Sequence, residues 1–226
     1  MGANTMNTFA KHEYSITSDR GCYQVGSDVS ILSDIYDEKN NIVIWQRNIE
    51  EISNSALKIL YRKPNLEISK IVSGQNISST LIEEIGDDIS FNIFFDDVAL
   101  LVDIFCTLFQ LNEVGIRLAR IDKAMCPRFH VDNVPCRLVT TYDGIATEWL
   151  SHPDADRSKL GTGNLGKSDE ESGIYKTKDQ IKYLNKGDVA LLKGESWEGN
   201  EGAGLVHRSP NINKDEPRIL LTLDFV

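Results

Sequence analysis

The chain has 226 residues, enough for one large domain or two small ones and for a core that needs no disulfide or metal staple. Hydrophobic residues make up 41% and charged residues 26%, and the net charge of −10 argues against a general grip on nucleic acid, whose phosphates need Lys and Arg on one face. The longest apolar run, near residues 98–111, carries Asp103 and is too short to span a bilayer. The polar first 20 residues lack the apolar stretch of a secretory signal. A cytoplasmic location is therefore expected, with reduced thiols at Cys22, Cys106, Cys126 and Cys136, which form no CxxC pair.

Residues 1–27 read as a poorly ordered start, and residues 28–113 as a mainly helical support. Asp28-Val29-Ser30-Ile31-Leu32 can open a short helix, and Asn41–Gln46 is a β-rich run. Ile49, Ile52, Ala56, Ile59 and Leu60 repeat at helical spacing until Pro64. Ser79 can cap a helix that carries Ile82 and Ile85 and stops at Gly86. Asp96 and Asp97 suit the start of a longer helix, where acids complement the dipole. Its stripe of Val98, Leu101, Val102, Phe105, Leu108 and Phe109 reads as core packing rather than a cofactor box.

From Val114 the period changes to alternation. About seven short strands follow, at 114–121, 137–142, 147–150, 181–184, 189–193, 205–210 and 218–225, with turn chemistry such as Asp143-Gly144 between them. Residues 151–180 are rich in Gly and charge, the composition of a long exposed loop that serves as a lid or selects substrate. With no clear linker, the chain reads as one α+β domain, 1–226, with a β-barrel over 114–226.

One stretch concentrates the chemistry: Cys126-Pro127-Arg128-Phe129-His130-Val131-Asp132-Asn133-Val134-Pro135-Cys136-Arg137. Two apart on a strand, His130 and Asp132 point the same way, and both can reach one ion at about 2 Å. With four histidines and 34 acids in the chain, a His-x-acid pair arises readily by chance, so order carries the weight. His130 and Asp132 come first, then a long insertion, then His207 in a β-run, then Arg218 opening the next strand. Two histidines and one carboxylate on one face of an ion, with the other face open, are the donor set of non-haem Fe(II) oxygenases. A guanidinium can bind a carboxylate with two parallel hydrogen bonds, and Arg218, Arg128, Arg137 and Arg208 all lie near the site in sequence. Arg128 shares parity with the His-x-Asp pair and can wall the cavity. Arg137 has the opposite parity, although Pro135 can break the register. Arg208 should point to the other face of its strand, as a surface or structural residue. Tyr142 or Thr140 can offer a hydroxyl. His152, near a strand end, reads as a loop residue and stands in reserve should His207 not be a ligand. An extended chain would hold Cys126 and Cys136 ~33 Å apart, so the two are not expected to share a zinc ion.

In these motifs the chain resembles the Fe(II)- and 2-oxoglutarate-dependent oxygenases over roughly its last half, including the run from Arg137 to Leu150. The whole chain also resembles a bacterial family known only as a domain of unknown function, DUF1826. The first resemblance implies a double-stranded β-helix of cupin or jelly-roll type in the C-terminal half, with an α-rich N-terminal layer beneath it. It implies Fe(II) held by His130, Asp132 and His207, 2-oxoglutarate anchored at Arg218, and hydroxylation of a small molecule or a side chain. Charge and the short apolar run, for their part, lead one to expect no membrane and no nucleic-acid partner. The alternative is a cupin-like metal-binding protein that is not an oxygenase and handles zinc through the same ligands.

Overall fold

The structure, a computed structural model, describes residues 22–53, 56–212 and 216–226; most of the stretch expected to be poorly ordered, residues 1–21, lies outside them. The strands are β1 (Cys22–Gly26), β2 (Asn40–Trp45), β3 (Glu67–Val72), β4 (Val114–Ile121), β5 (Cys136–Asp143), β6 (Glu148–Leu150), β7 (Ile181–Tyr183), β8 (Val189–Lys193), β9 (Val206–Arg208) and β10 (Arg218–Asp224). The helices that matter here are α1 (Glu50–Ser53), α2 (Ala56–Tyr61), α3 (Ile77–Ile85) and α4 (Asn92–Phe109). No described helix is long and apolar enough to cross a membrane.

Seven strands form one sheet in the order β1-β2-β8-β5-β10-β4-β3, and three form a second in the order β7-β6-β9. A single antiparallel bridge between His130 and His207 extends the second sheet past β9. Antiparallel pairing runs through β8-β5-β10-β4 in the first sheet and through β7-β6-β9-His130 in the second. The two layers exchange strands along the chain, as in a jelly roll.

Alternation along the central strands assigns the two faces. On β10, Ile219, Leu221 and Leu223 enter the helix-side core, whereas Arg218, Leu220, Thr222 and Asp224 line a cavity between the sheets. On β5, Cys136, Leu138 and Tyr142 go to the helices, and Arg137 and Val139 to the cavity. The helix side is closed by α4, which buries Phe94, Phe95, Val98, Leu101, Val102 and Phe105. Each such side chain contributes about 1.5–3 kcal/mol on leaving water. Ile42, Ile44, Val139, Trp149, Ala190, Leu192 and Leu205 join the two sheets from inside.

Three expectations need correction. The N-terminal half supplies helices but also β1, β2 and β3, so the sheet is not confined to residues 114–226. Helix α4 begins at Asn92, a full turn before Asp96; Asp97 instead receives a two-pronged contact from Arg47 at 2.5 and 3.0 Å and the Tyr142 hydroxyl at 2.6 Å. The segment 151–180 is not a bare exposed loop. It holds short helical turns, and Asp169, Ile174 and Tyr175 are buried. Ile174, Tyr175 and Ile181 pack on Phe129, Leu150 and Val206, directly behind the strands that carry the histidines.

Candidate metal centre

The stretch 126–137 is not a continuous strand. It meets the second sheet only at His130, bends through Asp132–Pro135, and enters the first sheet at Cys136. The His130 bridge is a backbone pair: each residue's N–H donates to the other's carbonyl at 3.0 Å. This pairing places the two imidazoles side by side, with ring centres 4.6 Å apart. His130 Nε2 lies 3.6 Å from Asp132 Oδ1, and His207 Nε2 lies 3.3 Å from Asp132 Oδ2. One donor atom from each of the three falls within 4.8 Å of the others. Among the described residues this is the only such cluster of three or more His, Cys, Asp or Glu.

The protonation pattern suits a cation. His130 Nδ1 sits 2.9 Å from Arg128 O, and His207 Nδ1 sits 3.1 Å from Leu205 O. A carbonyl only accepts, so each Nδ1 is the donor and Nε2 is the nitrogen that faces Asp132, able to donate to the carboxylate in the ring's charged form or to offer a lone pair to an ion in its neutral form. Such a backbone partner is what fixes the tautomer and the ring plane of a metal-binding histidine. Burial opposes ionisation of Asp132, but hydrogen bonds from His130 and His207, with the charges of His207 and Arg137, outweigh it and hold the carboxyl well below the usual range. Burial likewise opposes the His130 charge, yet Asp132 and the Arg128 carbonyl raise that imidazole above its ordinary value. A divalent ion among these three atoms would replace the proton that the cluster otherwise shares.

Behind Asp132 stands Arg137, whose Nη1 donates to Asp132 Oδ2 at 2.6 Å. Its Nε and Nη2 grip both oxygens of Asp224 at 2.8 and 3.0 Å. Parity argued against Arg137 unless Pro135 broke the register. The turn at Pro135 resets the register, so the odd residues of β5 share a face with His130 and Asp132.

Arg218 occupies the other end of the cavity-facing row of β10. It is fully buried, and no described carboxylate lies within ion-pair distance of it. Its Nη2 donates to the hydroxyls of Thr141 at 3.0 Å and Thr147 at 3.3 Å, and its Nε finds no partner. Burial pulls its pKa down to about 10, with only the more distant Glu148 charge opposing. Arg218, Thr147, His130, Arg137 and His207 line one cavity of about 130 Å³, with Leu192, Val139, Leu220 and Ala119 supplying apolar wall.

The other residues singled out from sequence fall elsewhere. Arg128 is turned away and donates to the Lys167 carbonyl at 2.8 Å. Tyr142 belongs to the helix-side core, with its hydroxyl on Asp97. Thr140 shares that face and its buried hydroxyl has no partner, so the threonine that meets Arg218 is its neighbour Thr141. Arg208 does turn from the cavity's metal side into a buried pairing with Glu148 and Asp169. His152 lies outside the ligand cluster; burial and the Arg157 charge hold it below its ordinary value. Cys126 lines the cavity and is exposed, whereas Cys136 is buried on the opposite face, where burial pushes its thiol up. Thr141, Thr147 and Asp224 were missed. Asp224 carried no signal beyond its place at a strand end, and Thr140 was named where its neighbour Thr141 is the one that meets Arg218.

A family model described as "Protein of unknown function (DUF1826)" matches residues 26–224. The chain belongs to the DUF1826 family. No curated protein matches it in sequence. Among solved structures, this DUF1826 chain is similar to DAO1, the dioxygenase for auxin oxidation 1 from Arabidopsis thaliana, in a 2-oxoglutarate complex. The identity is 7%, the TM-score 0.52, and the match covers 90% of this chain and 91% of that one. It is also similar to the rice dioxygenase for auxin oxidation, at 7% identity and a TM-score of 0.46, covering 82% and 73% of the two chains. HygX from Streptomyces hygroscopicus, with nickel and 2-oxoglutarate bound, gives 11% identity, a TM-score of 0.40 and 81% coverage of each. At such identities the likeness to DAO1 establishes a shared fold, and the residues of the DUF1826 chain itself must carry any argument about chemistry.

Proposed function

We propose that this protein is an Fe(II)- and 2-oxoglutarate-dependent oxygenase. His130, Asp132 and His207 would hold the metal, and Arg218 would seat the far carboxylate of 2-oxoglutarate. The observation that carries the reading is Arg218: a fully buried guanidinium, with no carboxylate partner among the described residues, in a cavity that His130 and His207 of the three-residue cluster also line. A buried unpaired charge is costly and is retained where a ligand completes it. Structural arginines in this chain, such as Arg47 and Arg208, have their carboxylates in place.

The donor set fits the group. Two imidazole nitrogens and one carboxylate suit a first-row divalent ion and leave positions free for further ligands. When bound, Fe(II) and 2-oxoglutarate would supply the oxidising power to insert one oxygen atom of O₂ into a substrate C–H bond. The chain's own contribution is positioning. The Arg128 and Leu205 carbonyls hold the His130 and His207 rings with Nε2 forward. Thr141 and Thr147 steady the Arg218 fork, and Leu220, Val139 and Leu192 keep water from the space between. The two charges of the ion, the one on Asp132, the two of the dicarboxylate and the one on Arg218 sum to neutrality, as a dry cavity requires.

The test is 2-oxoglutarate turnover and binding. The Fe(II)-loaded protein should convert 2-oxoglutarate to succinate, slowly without its prime substrate, and should show the visible absorption of a metal-chelated 2-oxo acid under anaerobic conditions. If metal-loaded protein does not bind 2-oxoglutarate, the reading fails, and a metal-binding role without oxygenase chemistry takes its place.

A further inference from the structure

One carboxylate outside the ligand cluster touches both strands that deliver the histidines. Asp169 Oδ2 accepts the backbone N–H of Phe129 at 3.0 Å and the Nη1 of Arg208 at 2.8 Å. Phe129 directly precedes His130, and Arg208 directly follows His207. Arg208 turns its Nε to Glu148 at 2.5 Å, and Glu148 is the register partner of Arg208 on β6. The guanidinium also lies over the Phe129 ring, 4.3 Å from its centre. All four groups are buried. The clamp therefore joins the His130 segment, β9 and β6.

Asp169 does not come from either ligand strand or from the main sheet. It comes from the 151–180 segment, at the start of a one-turn helix (Asp169–Ser172) capped by Ser168. The same segment sends Ile174 and Tyr175 into the apolar cluster with Phe129 and Val206. Arg128, one residue further back, donates to the Lys167 carbonyl. Residues 167–175 are thus docked on the backs of the two histidine-bearing segments by polar and apolar contacts alike.

We propose that Asp169 is a positioning residue for the metal centre, acting through Phe129 and Arg208, so that docking of residues 167–175 and occupancy of the metal site are coupled. This rests on the metal-site reading above. The physical reason is geometric. The segments of His130 and His207 are joined by one isolated bridge and by the Ser209 N–H on the Cys126 carbonyl at 2.9 Å, a short ladder, and their relative placement sets the distance between the two Nε2 atoms. A buried charged clamp across that bridge adds the stiffness that a short ladder lacks. Coupling is reciprocal: if docking tightens the metal site, the metal must tighten the docking.

The experiment uses the full chain freed of metal by a chelator and titrated anaerobically with Co(II), a spectroscopic stand-in for Fe(II). Asp169→Asn removes the charge while keeping an acceptor of nearly the same shape. Its Co(II) dissociation constant should rise by roughly 10- to 100-fold at a temperature where the variant is fully folded. In the wild type, Co(II) should slow hydrogen exchange at the amides of 167–175 and of Phe129, but not in α4. A folded Asp169→Asn protein with unchanged Co(II) affinity overturns the proposal. So does a wild type whose 167–175 amides ignore Co(II), a measurement that stands even where the variant fails to fold. A wild type that binds no Co(II) overturns the metal reading and the clamp with it; unchanged affinity in the variant overturns the clamp alone.

Discussion

Arg137 holds Asp132 by one oxygen only. Its Nη1 sits 2.6 Å from Asp132 Oδ2, and the rest of its guanidinium is committed to Asp224. The arginine therefore does two things for a cation at the cluster. It keeps Asp132 from offering both oxygens, and it keeps a second carboxylate, Asp224, from turning toward the ion.

Arg137→Met should accordingly preserve metal binding within a few-fold, because the lost orientation is offset by three freed carboxylate oxygens, one on Asp132 and two on Asp224. Binding of 2-oxoglutarate to the loaded protein should weaken by about tenfold or more, because those oxygens take up positions the dicarboxylate needs. Parallel titrations with Co(II) and then with 2-oxoglutarate separate the two effects. Unchanged 2-oxoglutarate affinity would sink this account of Arg137.

Arg218 carries a stability signature. Its folded pKa is depressed to about 10 by burial, so the folded state bears the cost of the charge at all pH values below that point. The cost, on the order of 3 kcal/mol, is relieved only as pH rises through the folded pKa toward the unfolded one. At pH 7–8 it is fully present. Arg218→Met should therefore leave the ligand-free protein as stable as the wild type or more so, by up to a few kcal/mol, while removing 2-oxoglutarate binding. Thermal melting with and without 2-oxoglutarate reads both: the wild-type midpoint should rise with the dicarboxylate, and the variant's should not move. A variant that melts far below the wild type would mean that Arg218 is structural.

The helices, most strands and the residues of the cluster were legible because each rests on local periodicity or on residue order. The seven strands expected after residue 113 correspond to β4–β10. What escaped notice needed knowledge of a bend. Between Asp132 and Cys136 the chain turns, and the face of β5 changes parity relative to His130; Pro135 hinted at that break for Arg137, but Thr140 and Tyr142 were still named as the hydroxyl donors and Thr141 was not. Strands β1 and β3 lie at the edges of the seven-stranded sheet, where one partner suffices and the apolar pattern is thin. On β3 only Ile68 and Val72 are buried. Asp169 was invisible because a carboxylate in a Gly-rich segment looks like any solvated acid until the segment is seen to fold back.

That change of face can be checked with side chains of nearly equal size. Thr141→Val removes the hydroxyl that meets Arg218 Nη2 and should weaken 2-oxoglutarate binding several-fold. Thr140→Val, one residue away on the helix side, replaces a buried hydroxyl without a partner and should leave binding unchanged while stabilising the protein slightly. Tyr142→Phe should cost about 1–3 kcal/mol of stability, because Asp97 loses a buried donor, and again should leave binding unchanged. Isothermal titration and thermal melting of the three variants decide it. A loss of 2-oxoglutarate affinity in Thr140→Val or Tyr142→Phe would restore the original assignment.

The position of Asp132 also depends on a residue with no functional group. Gly194 follows β8 and passes directly under the 132–135 bend: its N–H donates to the Pro135 carbonyl at 2.9 Å, and the Glu195 N–H donates to the Asp132 carbonyl at 2.9 Å. A Cβ at Gly194 would overlap the Val134 carbonyl and stand 2.7 Å from the Asp132 carbonyl oxygen. Both obstacles are backbone, which cannot swing aside as a side chain can. Gly194→Ala must therefore lift the bend off β8 and carry Asp132 with it, at an overpacking cost of about 1–3 kcal/mol. For a chain of this size that is a fall in melting temperature of roughly 3–10 °C. Displacing a metal-ligand carboxylate by even a fraction of an ångström weakens the site, so Co(II) affinity should fall together with stability. Gly74→Ala is the matched control, since a Cβ there meets only Asp103 Oδ1 at an ordinary 3.6 Å. If Gly194→Ala melts lower yet binds Co(II) as tightly as the wild type, the bend tolerates the methyl without moving Asp132, and the ligand is held by Arg137 and the histidines alone.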